Sequence, residues 1–309
     1  MNRTSSMLAG SCFLSCAAAF QVAAPSPYLG QPVPGLTPTL FAPGIVSTDA
    51  IELNGVFTPD MREFFFARGM DAQPTIFHSQ RIDGAWSAPR ELFLYPEKAR
   101  ALAVDMAVSP DGNELFFLGN YQPPGAAGAR SPDIWRSRRV NGEWTTAEKV
   151  PAPISTEARE IYPTVVADGS LYFISDRPGA VGSTSVYRAQ RRPDGSFATP
   201  VLVPPPINGE FGVGDPFVSP DEKYMIFVSR RPPNLGAGDL FVSFRAADGT
   251  WGEPVHLGDT VNTDKTDFCP FVTPDGKYFF FSRRHTVDGK VTAGDVYWMD
   301  AKFLDRFRK

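Results

Sequence analysis

Pro270-Phe271-Val272-Thr273-Pro274-Asp275-Gly276-Lys277-Tyr278-Phe279-Phe280-Phe281-Ser282-Arg283-Arg284 carries the pattern that decides the fold. A Thr-Pro-Asp-Gly turn signal stands between two apolar runs, the second of them a triple phenylalanine. Proline presets φ at the first central position of a tight turn, and Asp and Gly suit the positions after it, so the stretch predicts a strand, a sharp reversal and a second strand. The signal recurs upstream as Thr58-Pro59-Asp60, Ser109-Pro110-Asp111-Gly112, Ala167-Asp168-Gly169 and Ser219-Pro220-Asp221. An aromatic-rich run always comes next: Phe64-Phe65-Phe66, Leu115-Phe116-Phe117, Leu171-Tyr172-Phe173 and Met225-Ile226-Phe227. Successive signals are 51, 57, 53 and 54 residues apart, which is the spacing of a repeat architecture.

Each repeat continues alike. A third strand is predicted at Thr75-Ile76-Phe77, Asp133-Ile134-Trp135, Ser185-Val186-Tyr187, Asp239-Leu240-Phe241 and Asp295-Val296-Tyr297. Asp83-Gly84, Asn141-Gly142, Asp194-Gly195 and Asp248-Gly249 then turn the chain into a fourth strand opened by Trp86, Trp144, Phe197 or Trp251. Four short antiparallel strands per unit of about 50 residues describe a propeller blade. The predicted class is all-β: a five-bladed β-propeller of four-stranded antiparallel blades. The fifth repeat lacks a fourth strand, its third being expected over 296–304. Ile45-Val46-Ser47-Thr48-Asp49 matches segments that leave fourth strands elsewhere, such as Pro153-Ile154-Ser155-Thr156-Glu157. Residues around 40–46 are therefore expected to complete and close the last blade, which would remove an exposed strand edge.

The two ends of the chain differ in character. Residues 1–24 hold one charge, Arg3, then an apolar run and a small-residue end, the pattern of a secretory signal peptide too short to span a membrane. Cys16 only partly matches a lipobox, so the expected location is periplasmic or extracellular without a lipid anchor. Residues 25–38, rich in Pro and Gly, read as a flexible leader, and 39–309 as the propeller. The chain has 309 residues, 30 prolines, 27 glycines and 25 phenylalanines, a blend that excludes a helical bundle. A net charge of −4 offers no footprint for nucleic acid. No transmembrane segment is expected, and the protein is read as a monomer.

The repeat motif, P-x-x-x-P-D-G-x-x-x-x-F-x-S-x-R followed by D-[ILV]-[YWF], resembles the WD40-like PD40 repeats known from TolB-type propellers. Pro216 to Arg231 with Asp239-Leu240-Phe241, and Pro270 to Arg284 with Asp295-Val296-Tyr297, carry the likeness. The resemblance implies a propeller and a role in binding; it implies no catalytic residue.

Chemistry is expected where the connections from fourth to first strand and from second to third strand share one face, opposite the Pro-Asp turns. Glu52, Glu160 and Asp267 stand seven residues before the turn anchor, and Asn54, Asp105 and Asp215 five before it. Arg177, Arg231 and Arg284 come after the second strand, with Gly69 and Tyr121 taken as their counterparts in the first two units. One reading makes the carboxylates and arginines staples between neighbouring blades. The other leaves Asp105, Asp215 and Glu160 free as catalytic carboxylates for glycoside hydrolysis, with Glu52, Asp267, the three arginines and His285 as ligand-binding groups. Clustered carboxylates would also suit Ca²⁺; no other cofactor is expected. No nucleophile elbow, zinc-peptidase motif or phosphate loop appears. Cys269 reads as a buried small hydrophobe. Arg136, Arg138, Arg139, Arg188, Arg191 and Arg192 read as a solvated face. The favoured function is an exported, non-enzymatic binding module for a protein, glycan or envelope polymer; the alternative is a carbohydrate-active hydrolase or lyase.

Overall fold

The computed structural model describes residues 26–69, 73–125 and 132–308. The proposed signal segment, Cys16 and residues 126–129 lie outside them.

The chain is all-β and keeps to the repeat. Unit one has Ile51–Phe57, Glu63–Gly69 and Thr75–Ile82, then two short outer pieces, Ala85–Trp86 and Arg90–Glu91, both paired to the third strand. Units two, three and four begin at Ala103–Val108, Glu160–Val165 and Gly214–Val218 and repeat the antiparallel order. Unit five comprises Thr266–Val272, Tyr278–Val287 and Lys290–Asp300. Its third strand ends at Asp300, short of the expected 304. Asp300 there accepts the Lys302 amide, and the chain turns into a 3-10 segment, Ala301–Phe307, that buries Phe303 and Leu304. Thr39–Leu40 pairs antiparallel with this third strand, Thr39 opposite Trp298 and Leu40 opposite Tyr297.

The turns explain their own recurrence. Thr58, Ser109, Ser219 and Thr273 are buried hydroxyls that each donate to the Asp two residues on. Each also accepts the amide five residues on, as Tyr278 N to Thr273 Oγ1 at 3.0 Å. Unit three has Ala167 in place of Pro, and Asp168 alone caps its turn through the Ser170 amide.

The aromatic runs result from burial on both faces, which removes the polar alternation of a half-exposed strand. Phe65 faces a cluster with Leu115 and Phe117 of unit two, whereas Phe64 and Phe66 face one with Phe280 and Trp298 of unit five. Phe116 meets Leu171 and Phe173, Tyr172 meets Met225 and Phe227, and Ile226 meets Phe279 and Phe281. Among the described residues such apolar clusters lie between consecutive units, and one of them holds residues of units one and five together. Trp144 and Phe197 reach back to rings of the preceding unit, Phe65 at 6.0 Å and Phe116 at 6.3 Å.

Two expectations are corrected. Residues 26–31 do not behave as a loose leader: Tyr28 is 3% exposed, packs on Tyr278 and Trp298, and bonds Asp275 through its hydroxyl. The ring gains more from that apolar floor than the Pro/Gly composition suggests. Nor do the arginines in and after the third strands form a wholly solvated face, although Arg138 and Arg192 are exposed. Arg139 pairs with Glu63, Arg191 with Glu114 and Arg188 with Glu222, each bridging neighbouring units. Low net charge hid this, because the pairs neutralise each other locally.

Candidate functional site

Every first strand has an irregular register at the same place: Leu53/Val56, Val104/Ala107, Ile161/Thr164, Gly214/Phe217 and Phe268/Phe271. At each bulge one residue has positive φ: Asn54 (56°), Asp105 (54°), Tyr162 (52°), Asp215 (45°) and Cys269 (50°). Such a left-handed kink re-aims a side chain. All five residues line one cavity of about 310 Å³ at the centre of the units.

The cavity is layered as the strands are. Val56, Ala107, Thr164, Phe217 and Phe271 lie two residues beyond the bulges, and Val108, Val165, Val218 and Val272 come after them. Its rim is Pro59, Pro110, Pro220 and Pro274 of the turns, the last three exposed. Its polar groups gather at the other end. The cavity therefore lies on the turn side of the bulges, not among the connecting loops where sequence reasoning places it. Strand alternation alone puts no kink in the first strand, and the kink fixes which half of the strand faces the axis.

Asp215 Oδ2 accepts the Cys269 amide at 2.9 Å, and the Cys269 thiol lies 3.7 Å from Asp105 Oδ1. Asn54 Oδ1 accepts the Met106 amide, and the Asn54 amide donates to Ser282 Oγ. Burial, then the Asp215 charge, raises the Asp105 carboxyl well above the usual range. Burial likewise pushes Asp215 up to about 6, against the amide and thiol of Cys269 and the charge of Arg284. The Asp215 charge, then burial, raises the Tyr162 phenol, and burial followed by both aspartates raises the Cys269 thiol. A carboxyl that stays protonated near neutral pH can donate a hydrogen bond, and one near pH 6 can exchange a proton.

The other predicted residues lie elsewhere. Glu52, Glu160 and Asp267 are fully buried within their own units and do not line the cavity. Each caps the loop before it, as Glu160 accepts the Thr156 amide and hydroxyl, and each pairs with an arginine in the adjoining strand or just after it. The pairs are Glu52–Arg68 at 2.8 Å, Glu160–Arg177 at 3.0 Å and Asp267–Arg283 at 2.7 Å. The staple expected between neighbouring blades is thus internal to a blade, and two partners are Arg68 and Arg283, one residue before the expected Gly69 and Arg284. The strand register sets this: Glu52 lies opposite Arg68, and Asp267 opposite Arg283. Arg177 and Arg231 bond carbonyls of the connecting loops at Ile154 and Ile207.

Arg284 is left over. It lies over Phe268 at 5.1 Å, its Nε is buried without a partner, and its charge acts on both channel aspartates. His285 lies in the long second strand of unit five, opposite Ala293, and does not line the cavity. Sequence reasoning misses Tyr162 and Cys269 as members of the ring because they carry no carboxylate. Their offset of five residues from the turn anchor was the available signal. Among the described residues no group of three or more His, Cys, Asp or Glu is arranged to hold a metal, and no helix is long and apolar enough to cross a membrane.

No protein-family model and no curated protein matches the sequence. Solved structures do. The chain is similar to an α-L-arabinofuranosidase from Podospora anserina in complex with cellotriose, at a TM-score of 0.51 and 10% identity over 85% of this chain and 96% of that one. An α-L-arabinofuranosidase from Lactobacillus brevis gives 0.50 and 15%, over 83% and 90%. TolB from Acinetobacter baumannii gives 0.48 and 16% over 83% of this chain, which spans 56% of the TolB chain. At such identities the likeness is one of fold: the chain is a β-propeller.

Proposed function

We propose that this propeller is an exported binding module of five blades whose ligand enters the central cavity between the Pro-Asp turns. The apolar clusters between consecutive units and the pairing of Thr39–Leu40 with the last unit support the five-bladed, N-terminally closed reading. The segment pattern of residues 1–24 supports export, with the propeller starting at 39. One observation carries the binding role: a cavity of about 310 Å³ whose walls are Val, Phe, Ala and Pro and whose polar groups converge at one end. Pockets of this kind take small ligands or projecting side chains, oriented by a few polar groups. A polysaccharide would need polar walls for its hydroxyls, and Glu160, the third candidate carboxylate, is locked to Arg177.

The hydrolase reading keeps one specific support, the two raised carboxyls flanking Cys269. A single experiment separates the readings. Small apolar amines, alcohols and acids are screened by thermal shift on wild type and on Ala107→Phe, which fills the cavity. In parallel a panel of nitrophenyl glycosides is assayed on wild type and Asp215→Asn. Binding in wild type that Ala107→Phe abolishes supports the module; glycoside turnover lost in Asp215→Asn replaces it with the enzyme.

A further inference from the structure

The head group that the cavity would take is written in its unused bonding capacity. Asn54 Oδ1 and Asp215 Oδ2 are occupied by the backbone amides of Met106 and Cys269, and the Tyr162 phenol and the Cys269 thiol also donate to the Asp215 carboxylate, which leaves the phenol oxygen free to accept. Asp105 is about nine-tenths buried, and the one hydrogen bond of its carboxyl among the described residues comes from a thiol at 3.7 Å, a weak donor. Neither aspartate forms an ion pair among the described residues, although Arg284 is near enough to act on both. Each unit sends one group to this end: Asn54, Asp105, Tyr162, Asp215 and Cys269, with Arg284 added from the second strand of unit five. Acceptors dominate. With both carboxylates ionised and Arg284 charged, the end carries one net negative charge.

We infer that the cavity takes a protonated amine, an ammonium head on an apolar body, seated between Asp105 and Asp215. This rests on the cavity being a ligand site. An ammonium presents three donors and one positive charge. That number of donors serves two carboxylates and the phenol, and that charge cancels the surplus. A carboxylate ligand would meet two acids, and a hydroxyl would leave one of them without compensation. Val56, Ala107, Phe217 and Phe271 then hold the body, which the volume limits to the size of a side chain or a small aromatic amine. The source is either a free amine or a lysine side chain of a partner.

Binding must displace the protons that the empty site retains. Affinity for the amine therefore rises with pH, by up to about tenfold per unit for each proton released.

The test is titration calorimetry of 2-phenylethylamine, 2-phenylethanol and phenylacetate into the full-length protein between pH 5.5 and 8.5, in two buffers of different ionisation heat. Wild type, Asp105→Asn, Asp215→Asn and Ala107→Phe are compared, with circular dichroism as the check of fold. Should Asp215→Asn misfold, Asp105→Asn carries the comparison. The expected result is at least tenfold preference for the amine over the alcohol, proton release on binding, and tenfold or greater loss in either Asn variant. A lysine-bearing peptide, acetyl-Phe-Lys-Phe-amide, that binds tighter than 2-phenylethylamine assigns the head group to a partner; weaker binding assigns it to a free amine. Alcohol or acid bound as tightly as amine, unchanged in the Asn variants but lost in Ala107→Phe, overturns the ammonium and leaves the cavity reading standing. No binding of any probe to wild type, or binding that ignores Ala107→Phe, overturns both.

Discussion

Asp215 and Cys269 are 54 residues apart in sequence, yet the carboxylate of the first accepts the backbone amide of the second at 2.9 Å. Both sit at left-handed bulges, so a side chain of one unit is tied to the kinked backbone of the next. The bond joins two units and forms part of the cavity floor together, which links stability to the protonation of the channel.

The sign of that link is fixed by the raised carboxyls. Asp105 and Asp215 titrate above the usual aspartate range, Asp215 at about 6. Between the unfolded value near 4 and that point the native state binds more protons than the unfolded chain, so stability falls as pH rises through this window. For Asp215 the loss is on the order of 2 kcal/mol. Urea melts at pH 4.5 and 7 should show it in wild type, and a smaller difference in Asp215→Asn. Equal differences in both proteins would locate the pH dependence elsewhere.

Phe41 is completely buried among Phe64, Phe280 and Trp298, in the layer that joins the first and last units. Truncating a buried Phe to Ala costs about 3–5 kcal/mol. Phe41→Ala should lose that amount in urea unfolding, although it lies only one residue beyond a two-residue strand. A loss below about 1 kcal/mol would mean that 39–41 does not hold the ring together.

This layer is largely legible in sequence, and the channel only half so. The repeat of Pro-Asp turns and aromatic runs marks the strands directly, because turn chemistry and two-sided burial act locally. The likeness of the 40–46 segment to other exits from fourth strands points to it as the edge partner of the last unit; the pairing observed is at Thr39–Leu40, of which only Leu40 lies in that range. Register is what sequence could not supply. Asp267 lies opposite Arg283 and Thr266 opposite Arg284, so the register decides which arginine is buried in a staple and which is left beside the channel. The bulges are equally hidden, since Asn, Asp, Tyr, Asp and Cys share no side-chain chemistry that announces a kink.

The internal staples predict a separation of stability from binding. Glu160 is fully buried, and removing it leaves Arg177, 11% exposed, beside Ile154 without its counter-charge. Breaking a buried pair in this way costs about 3–5 kcal/mol. Glu160→Ala should therefore melt earlier while a channel ligand, measured well below the melting temperature, binds as it does to wild type. A loss of affinity with stability intact would return Glu160 to the site.

The bulge backbone gives the last prediction. Cys269 has φ of 50° and is 4% exposed, a conformation that costs a β-branched side chain more than an unbranched one. Cys269→Ser keeps one heavy atom on Cβ, as cysteine has, whereas Cys269→Val adds a second branch there, so the two variants compare the cost of β-branching at the kink with the loss of the thiol. Valine should destabilise by about 1–3 kcal/mol more than serine in denaturant melts. Serine also replaces the thiol beside Asp105 with a stronger donor, and should lower the pH at which the channel carboxyls titrate if the hydroxyl closes to hydrogen-bond distance. Equal stabilities for the two variants would mean that the first strand straightens at little cost, and that the five kinks are consequences of packing around the axis with no strain of their own.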